Sequence, residues 1–139
     1  MSAKPSAKPV VSRPLSPFML GPYYRFQITS VLSFTHRLTG LGLSIGTLFI
    51  AIWVMSAVAG PSAFARFAWF ARSPLGLILL LGWSWALLFH LCNGVRHLVW
   101  DAGHAFEKKQ VDTGGLIVVA ASLLLTAAVW ATAYLLPPL

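Results

Sequence analysis

His90-Leu91-Cys92-Asn93-Gly94-Val95-Arg96-His97-Leu98-Val99-Trp100-Asp101 is the stretch on which the fold of this chain turns. Residues 75–89, just before it, hold no charged side chain, so the stretch reads as the polar end of an apolar, membrane-embedded helix. Histidine recurs at positions 90, 97 and 104. Seven residues are almost two helical turns, so these positions drift by only about 20° per step and stay on one face. Gly94 and Asp101 fall on the same stripe. An imidazole inside a hydrocarbon-spanning helix is costly and faces a bundle interior, a cofactor or a proton path. One face thus carries an embedded imidazole, a small residue and further polar groups running toward water. A helix that holds a planar cofactor with a charged edge needs that layout.

Composition is that of a membrane protein. Of 139 residues 58% are hydrophobic and 9% charged, whereas a soluble domain carries roughly 25% charged residues. Three runs contain no Asp, Glu, Lys or Arg: residues 38–59, 75–95 and 116–136. Each is close to the roughly 20 residues needed to cross a bilayer. Together they leave no material for a separate soluble core. The expected architecture is all-α: three transmembrane helices over about 29–59, 75–100 and 116–136, forming one domain from residue 27 to 139 behind an arm of residues 1–26.

The net charge of +7 is topological and not a nucleic-acid footprint. Lys4, Lys8, Arg13, Arg25 and Arg37 precede or open span one, and Arg96, Lys108 and Lys109 lie at or after the end of span two. Three spans put those eight on one side, against Arg66 and Arg72 on the other. The positive-inside rule makes the richer side the cytoplasm, so the N-terminus and the loop of residues 102–115 are expected inside and the C-terminus outside. The N-terminus lacks a secretory h-region and is not an Arg-rich amphipathic transit peptide. A bacterial inner membrane is therefore favoured over a mitochondrial one.

Residues 1–22 hold five of the nine prolines and cannot form a helix interior; Tyr23 and Tyr24 then mark headgroup level. Nothing breaks a helix between Gln27 and Gly60, where Gly60-Pro61 ends it. Residues 62–73, rich in Phe and Trp, read as a connection along the outer interface, and Pro74 suits the first turn of helix two. The lone Cys92 has no internal disulfide partner and reads as small apolar packing. In helix one Ser33, Arg37, Gly40, Ser44 and Thr47 step by four and three and form one polar or small stripe. Gly42 and Gly46 add a G-x-x-x-G, which permits close helix approach.

Two readings compete for His90, which lies about 22 Å along a span starting at Leu75. A lone embedded histidine is usually a packing residue bonded to a neighbouring helix. The functional reading is an axial haem ligand through a neutral ring nitrogen. Gly94 would leave room for a flat macrocycle, and His97, a further turn along, could donate to a propionate. The stripe taken whole favours haem. Because His36 sits near the interface and His97 shares the face of His90, a bis-histidine haem needs its second ligand from another chain. Arg37 can likewise be a snorkelling topology anchor. It nevertheless shares a face with Ser33 and adjoins His36, a set that supplies hydrogen-bond donors and a titratable group to a quinone. Arg96 and Asp101 read as a loop ion pair worth little if exposed.

At these residues the chain resembles the cytochrome b membrane-anchor (C) subunit of succinate dehydrogenase, respiratory complex II. Three motifs carry the resemblance, which covers essentially the whole chain: Arg13-Pro14-Leu15-Ser16-Pro17, Ser33-Phe34-Thr35-His36-Arg37-Leu38-Thr39-Gly40, and His90-x-x-x-Gly94-Val95-Arg96-His97-Leu98-x-Trp100-Asp101. It implies that His90 is the axial ligand of haem b, that His36 and His97 lie near the haem propionates, and that Ser33 and Arg37 help bind ubiquinone. It also implies a second small anchor subunit supplying the other haem histidine, an iron–sulfur subunit and a flavoprotein that oxidises succinate, within the tricarboxylic acid cycle and respiratory chain. Phe18 departs from the pattern, since many relatives continue the Ser-Pro with His. The chain has no dicarboxylate chemistry and no cysteine cluster of its own, so it is expected to be a non-catalytic anchor. A stand-alone cytochrome b would show paired intramembrane histidines on different helices. A small proton-conducting membrane protein would use the histidine stripe as a path.

Overall fold

The computed structural model describes residues 26–135. The proline-rich arm, with Arg13–Pro17, Phe18 and the two interfacial tyrosines, lies outside the described residues. Four helices follow in order: α1 Ile28–Val58, α2 Pro61–Ala71, α3 Pro74–Asp101 and α4 Lys108–Leu135. Three of them, α1, α3 and α4, are long and apolar enough to cross a membrane. At 31 residues α1 is about 46 Å long, more than the roughly 30 Å hydrocarbon core, so it must tilt or protrude.

Each boundary has a local cause. Pro61 opens α2 and Pro74 opens α3, both at positions whose N–H would be unsatisfied anyway. The Ser73 hydroxyl caps α3 by accepting from the Gly76 N–H at 3.1 Å. At its far end α3 closes with a Schellman motif. Gly103 takes a left-handed φ of 83° and donates to Trp100 O, while His104 N–H reaches back to Val99 O.

Two elements differ from the sequence expectation. Residues 62–73, expected only as a connection along the outer interface, are mostly helical: they form α2, whose Phe64, Phe67, Ala68 and Ala71 recur at helical spacing. Phe49 of α1 meets Phe67 and Phe70 at ring-centroid distances of 5.1 and 6.1 Å, which seats α2 across the adjoining ends of α1 and α3. The second difference is that α4 begins at Lys108, not Leu116. No residue between them forbids helix, and Gly115 permits close contact with α1: a Cβ there would lie 2.6 Å from Leu32 Cδ1. The connection between α3 and α4 shrinks to residues 102–107.

In the bundle α3 is central and packs on α1, α2 and α4. The apolar core is small, Leu32, Phe89 and Val118, with Ile28, Trp85, Cys92 and Val119 packed against it. Thr39, Asn93, Arg96, Ser122 and Thr126 are buried as well, whereas Leu38, Leu41, Ile45 and Leu48 are more than half exposed. Such an inverted distribution suits lipid, where small and polar side chains mediate helix contact. Trp130 Nε1 donating to Ser84 Oγ at 2.9 Å ties α4 to α3 toward the other end.

Candidate functional site

The site forms where the N-terminal part of α1 crosses the C-terminal part of α3. His90 lies half-buried against α1, its Cε1 only 3.1 Å from where a Cβ on Gly40 would stand. The His36 ring stacks flat on it, with centroids 3.9 Å apart and planes 11° from parallel. His97 follows at 5.4 Å from His36, tilted by 44°, and Trp100 meets His97 edge-on at 5.1 Å. The four rings form a continuous file from the α3–α4 turn into the bundle.

Hydrogen bonding decides what the His90 ring can do. Its Nδ1 lies 3.2 Å from the main-chain oxygen of His36. A carbonyl oxygen only accepts, so the proton of the neutral ring sits on Nδ1 and Nε2 keeps its lone pair. This is the tautomer that metal-ligating histidines adopt when their second nitrogen is held by a carbonyl. Thr39 Oγ1 stands 3.2 Å from the same Nδ1 and donates to the same His36 oxygen at 2.9 Å. Nothing in the sequence singles out Thr39 beyond its place in the motif, since a contact spanning 51 residues has no local trace.

The residues also fit a macrocycle in two further respects. A Cβ on Gly94 would meet nothing within 4 Å, so space is open one turn along from His90. His36 Nδ1 is buried without a hydrogen-bond partner and His97 is exposed at the helix end. Both imidazoles retain hydrogen-bonding capacity for an anionic edge. The His36 ring, on the first turns of α1, lies directly against His90, a contact that the sequence reading did not specify.

Ser33 and Arg37 share a face as their spacing requires. Arg37 Nη2 donates to Ser33 Oγ at 3.3 Å and Nε to Ser33 O at 3.4 Å, both on the exposed side of α1. Because the Ser33 oxygen accepts from Arg37, its own hydrogen remains to be donated outward. The rest of that stripe is self-satisfied: Ser44 Oγ bonds Gly40 O and Thr47 Oγ1 bonds Ser44 O. The buried residues of α1, Leu32 and Thr39, lie on another face, and Ser33, Arg37, Ser44 and Thr47 are exposed, so these four turn away from this chain's own bundle while Gly40 between them meets His90.

Arg96 does not pair with Asp101 as a loop ion pair. Five helical positions separate them by about 140°, putting them on different faces. Arg96 is buried; its Nη2 donates to Val111 O of α4 at 2.9 Å and its guanidinium lies 4.1 Å over the Trp100 ring. Trp100 Nε1 in turn donates to Ala105 O at 3.1 Å. Together they clasp the α3–α4 turn from which the file of rings starts.

Comparison with known proteins bears on the same residues. The chain matches the succinate dehydrogenase/fumarate reductase transmembrane subunit family over residues 11–129, which contain every residue of the site. It is 40% identical over 114 residues to the succinate dehydrogenase cytochrome b556 subunit of Paracoccus denitrificans, covering 82% of this chain and 86% of that protein. The corresponding subunit of Rickettsia felis is 38% identical, covering 85% and 90%. The mitochondrial succinate dehydrogenase cytochrome b560 subunit of Sus scrofa is 32% identical, covering 81% and 67%. The inverted burial, the imidazoles at the α1–α3 crossing and this match together place the chain in the succinate dehydrogenase/fumarate reductase transmembrane subunit family.

Proposed function

We propose that this chain is the haem b-binding membrane anchor of a succinate:quinone oxidoreductase. It is a non-catalytic subunit, holding flavoprotein and iron–sulfur partners at the cytoplasmic face of a bacterial membrane and sharing its haem with a second anchor. The observation that carries the reading is the His90 ring, whose Nδ1 faces a carbonyl and whose Nε2 is thereby left as a ligand. His90 would take one axial position, and His36 and His97 would lie toward the propionates. When bound, the haem would supply a one-electron store. The second iron ligand would come from the second anchor, since His36 and His97 both lie in the same file of rings as His90.

Ser33 and Arg37 serve the quinone. The Arg37 guanidinium stays protonated and stabilises negative charge developing on a quinone oxygen, but it cannot deliver the proton itself. Ser33, with its hydroxyl hydrogen free, donates to a carbonyl oxygen. Protons arrive by water or through a histidine at the cytoplasmic end. The exposed stripe that these two residues begin is where the second anchor would approach.

Replacing His90 by Leu in the whole complex tests the reading. The expected result is an altered or missing haem b spectrum with the catalytic subunits still co-purifying. A low-spin bis-histidine spectrum identical to wild type would rule His90 out.

A further inference from the structure

Thr39 is buried to 5% exposure in a helix whose other polar stripe faces outward. Unlike Ser44 and Thr47, whose hydroxyls bond only their own helix, it reaches a side chain of another helix. Its single hydroxyl hydrogen is committed to His36 O at 2.9 Å, so what it turns toward His90 Nδ1, 3.2 Å away, is a lone pair. The same His36 oxygen lies 3.2 Å from Nδ1. The Nδ1–H is therefore shared by two acceptors that are locked to each other, and the far wall of this socket is the bare Gly40.

We propose that Thr39 is a positioning residue: with the His36 carbonyl it fixes the tautomer and the ring plane of His90, and so sets the electron donation of Nε2 to the haem iron. The inference rests on His90 being the axial ligand. A hydrogen bond accepted from the distal nitrogen of a metal-bound imidazole orients the ring and raises its basicity, and loss of such a partner commonly costs tenfold or more in affinity or activity in metalloproteins. Thr39 is set apart from an ordinary packing threonine by that lone pair, which valine lacks at nearly the same shape and serine keeps.

The test uses the assembled complex with Thr39→Val, Thr39→Ser and His90→Leu side by side, reading the haem midpoint potential and the low-spin electron paramagnetic resonance signal. Thr39→Val should raise the potential, because a less basic imidazole stabilises oxidised iron less, and should broaden the resonance as the ring gains freedom. Thr39→Ser should restore both. A potential unchanged in Thr39→Val, or shifted equally by Ser and Val, overturns the proposal while leaving the axial assignment standing. An unchanged spectrum in His90→Leu removes the axial assignment itself and the proposal with it. Should Thr39→Val fail to assemble, 15N-histidine labelling of the unaltered, reduced complex decides the same point. A slowly exchanging Nδ1–H resonance supports the socket, and a rapidly exchanging one refutes it.

Discussion

Gly40→Ala probes the contact on which the site's geometry depends. The added Cβ would sit 3.1 Å from His90 Cε1, whereas carbon atoms pack comfortably at about 3.5–4.0 Å. The ring must therefore retreat by roughly 0.4–0.9 Å or push α1 away. Retreat is opposed on both sides. His36 already stacks at 3.9 Å, and the Nδ1 bond to His36 O, at 3.2 Å, is at the long end of its range. Overpacking of this kind costs about 1–3 kcal/mol. Alanine recovers up to about 1 kcal/mol of helix propensity over glycine. The net destabilisation is then about 0–2 kcal/mol, too small to prevent assembly but enough to displace the imidazole. Haem content per complex and the potential of the haem are the assays, with Gly42→Ala as control, since a Cβ there meets nothing within 4 Å. We predict a shifted potential and reduced haem retention in Gly40→Ala alone. If the two alanine variants match each other and the wild type, the α1 socket around His90 does not exist as described.

Arg37→Leu should slow quinone reduction at least tenfold, because one charge-assisted bond is worth about 1.5–3 kcal/mol; succinate oxidation with a soluble acceptor should be unaffected, and wild-type quinone turnover would reduce Arg37 to a topology anchor. Ser33→Ala should follow in the same direction with a smaller effect, measured by the same pair of assays. Arg96→Gln removes the bond to Val111 O and the guanidinium over Trp100. We predict a loss of about 2 kcal/mol or more, read as a lower melting temperature and faster proteolysis within residues 102–107; unchanged cleavage would show the clasp to be idle. A reporter fused after Leu139 should be active only outside the cytoplasm, and cytoplasmic activity would invert the topology.

What is legible in the sequence is what depends on neighbours in the chain. Charge-free runs locate α1, α3 and α4, and the Pro74 start follows from local backbone chemistry. The stripe on α1 and the pairing of Ser33 with Arg37 follow from 3.6-residue periodicity, and the structure keeps both. The losses are of two kinds. The helix α2 has a readable signal in its Phe64, Phe67, Ala68 and Ala71 spacing, but its aromatics mark a connection along the membrane surface whatever its backbone. The Thr39–His90 and His36–His90 contacts and the turn of Arg96 toward α4 join residues 15 to 54 positions apart. They depend on how one helix crosses another, and no single helix encodes that crossing.

The outward stripe of α1 has a consequence for how the protein is made. Helices of a membrane protein can insert singly and associate afterwards. A newly inserted copy therefore meets lipid with Ser33, Arg37, Ser44 and Thr47 uncovered. Arg37, near the helix end, can lift its charge toward water, so the copy is tolerated and not expelled. It nevertheless lacks the neighbour that would bury the face. An unassembled copy thus keeps polar groups turned to hydrocarbon, a cost that association with a further helix would remove.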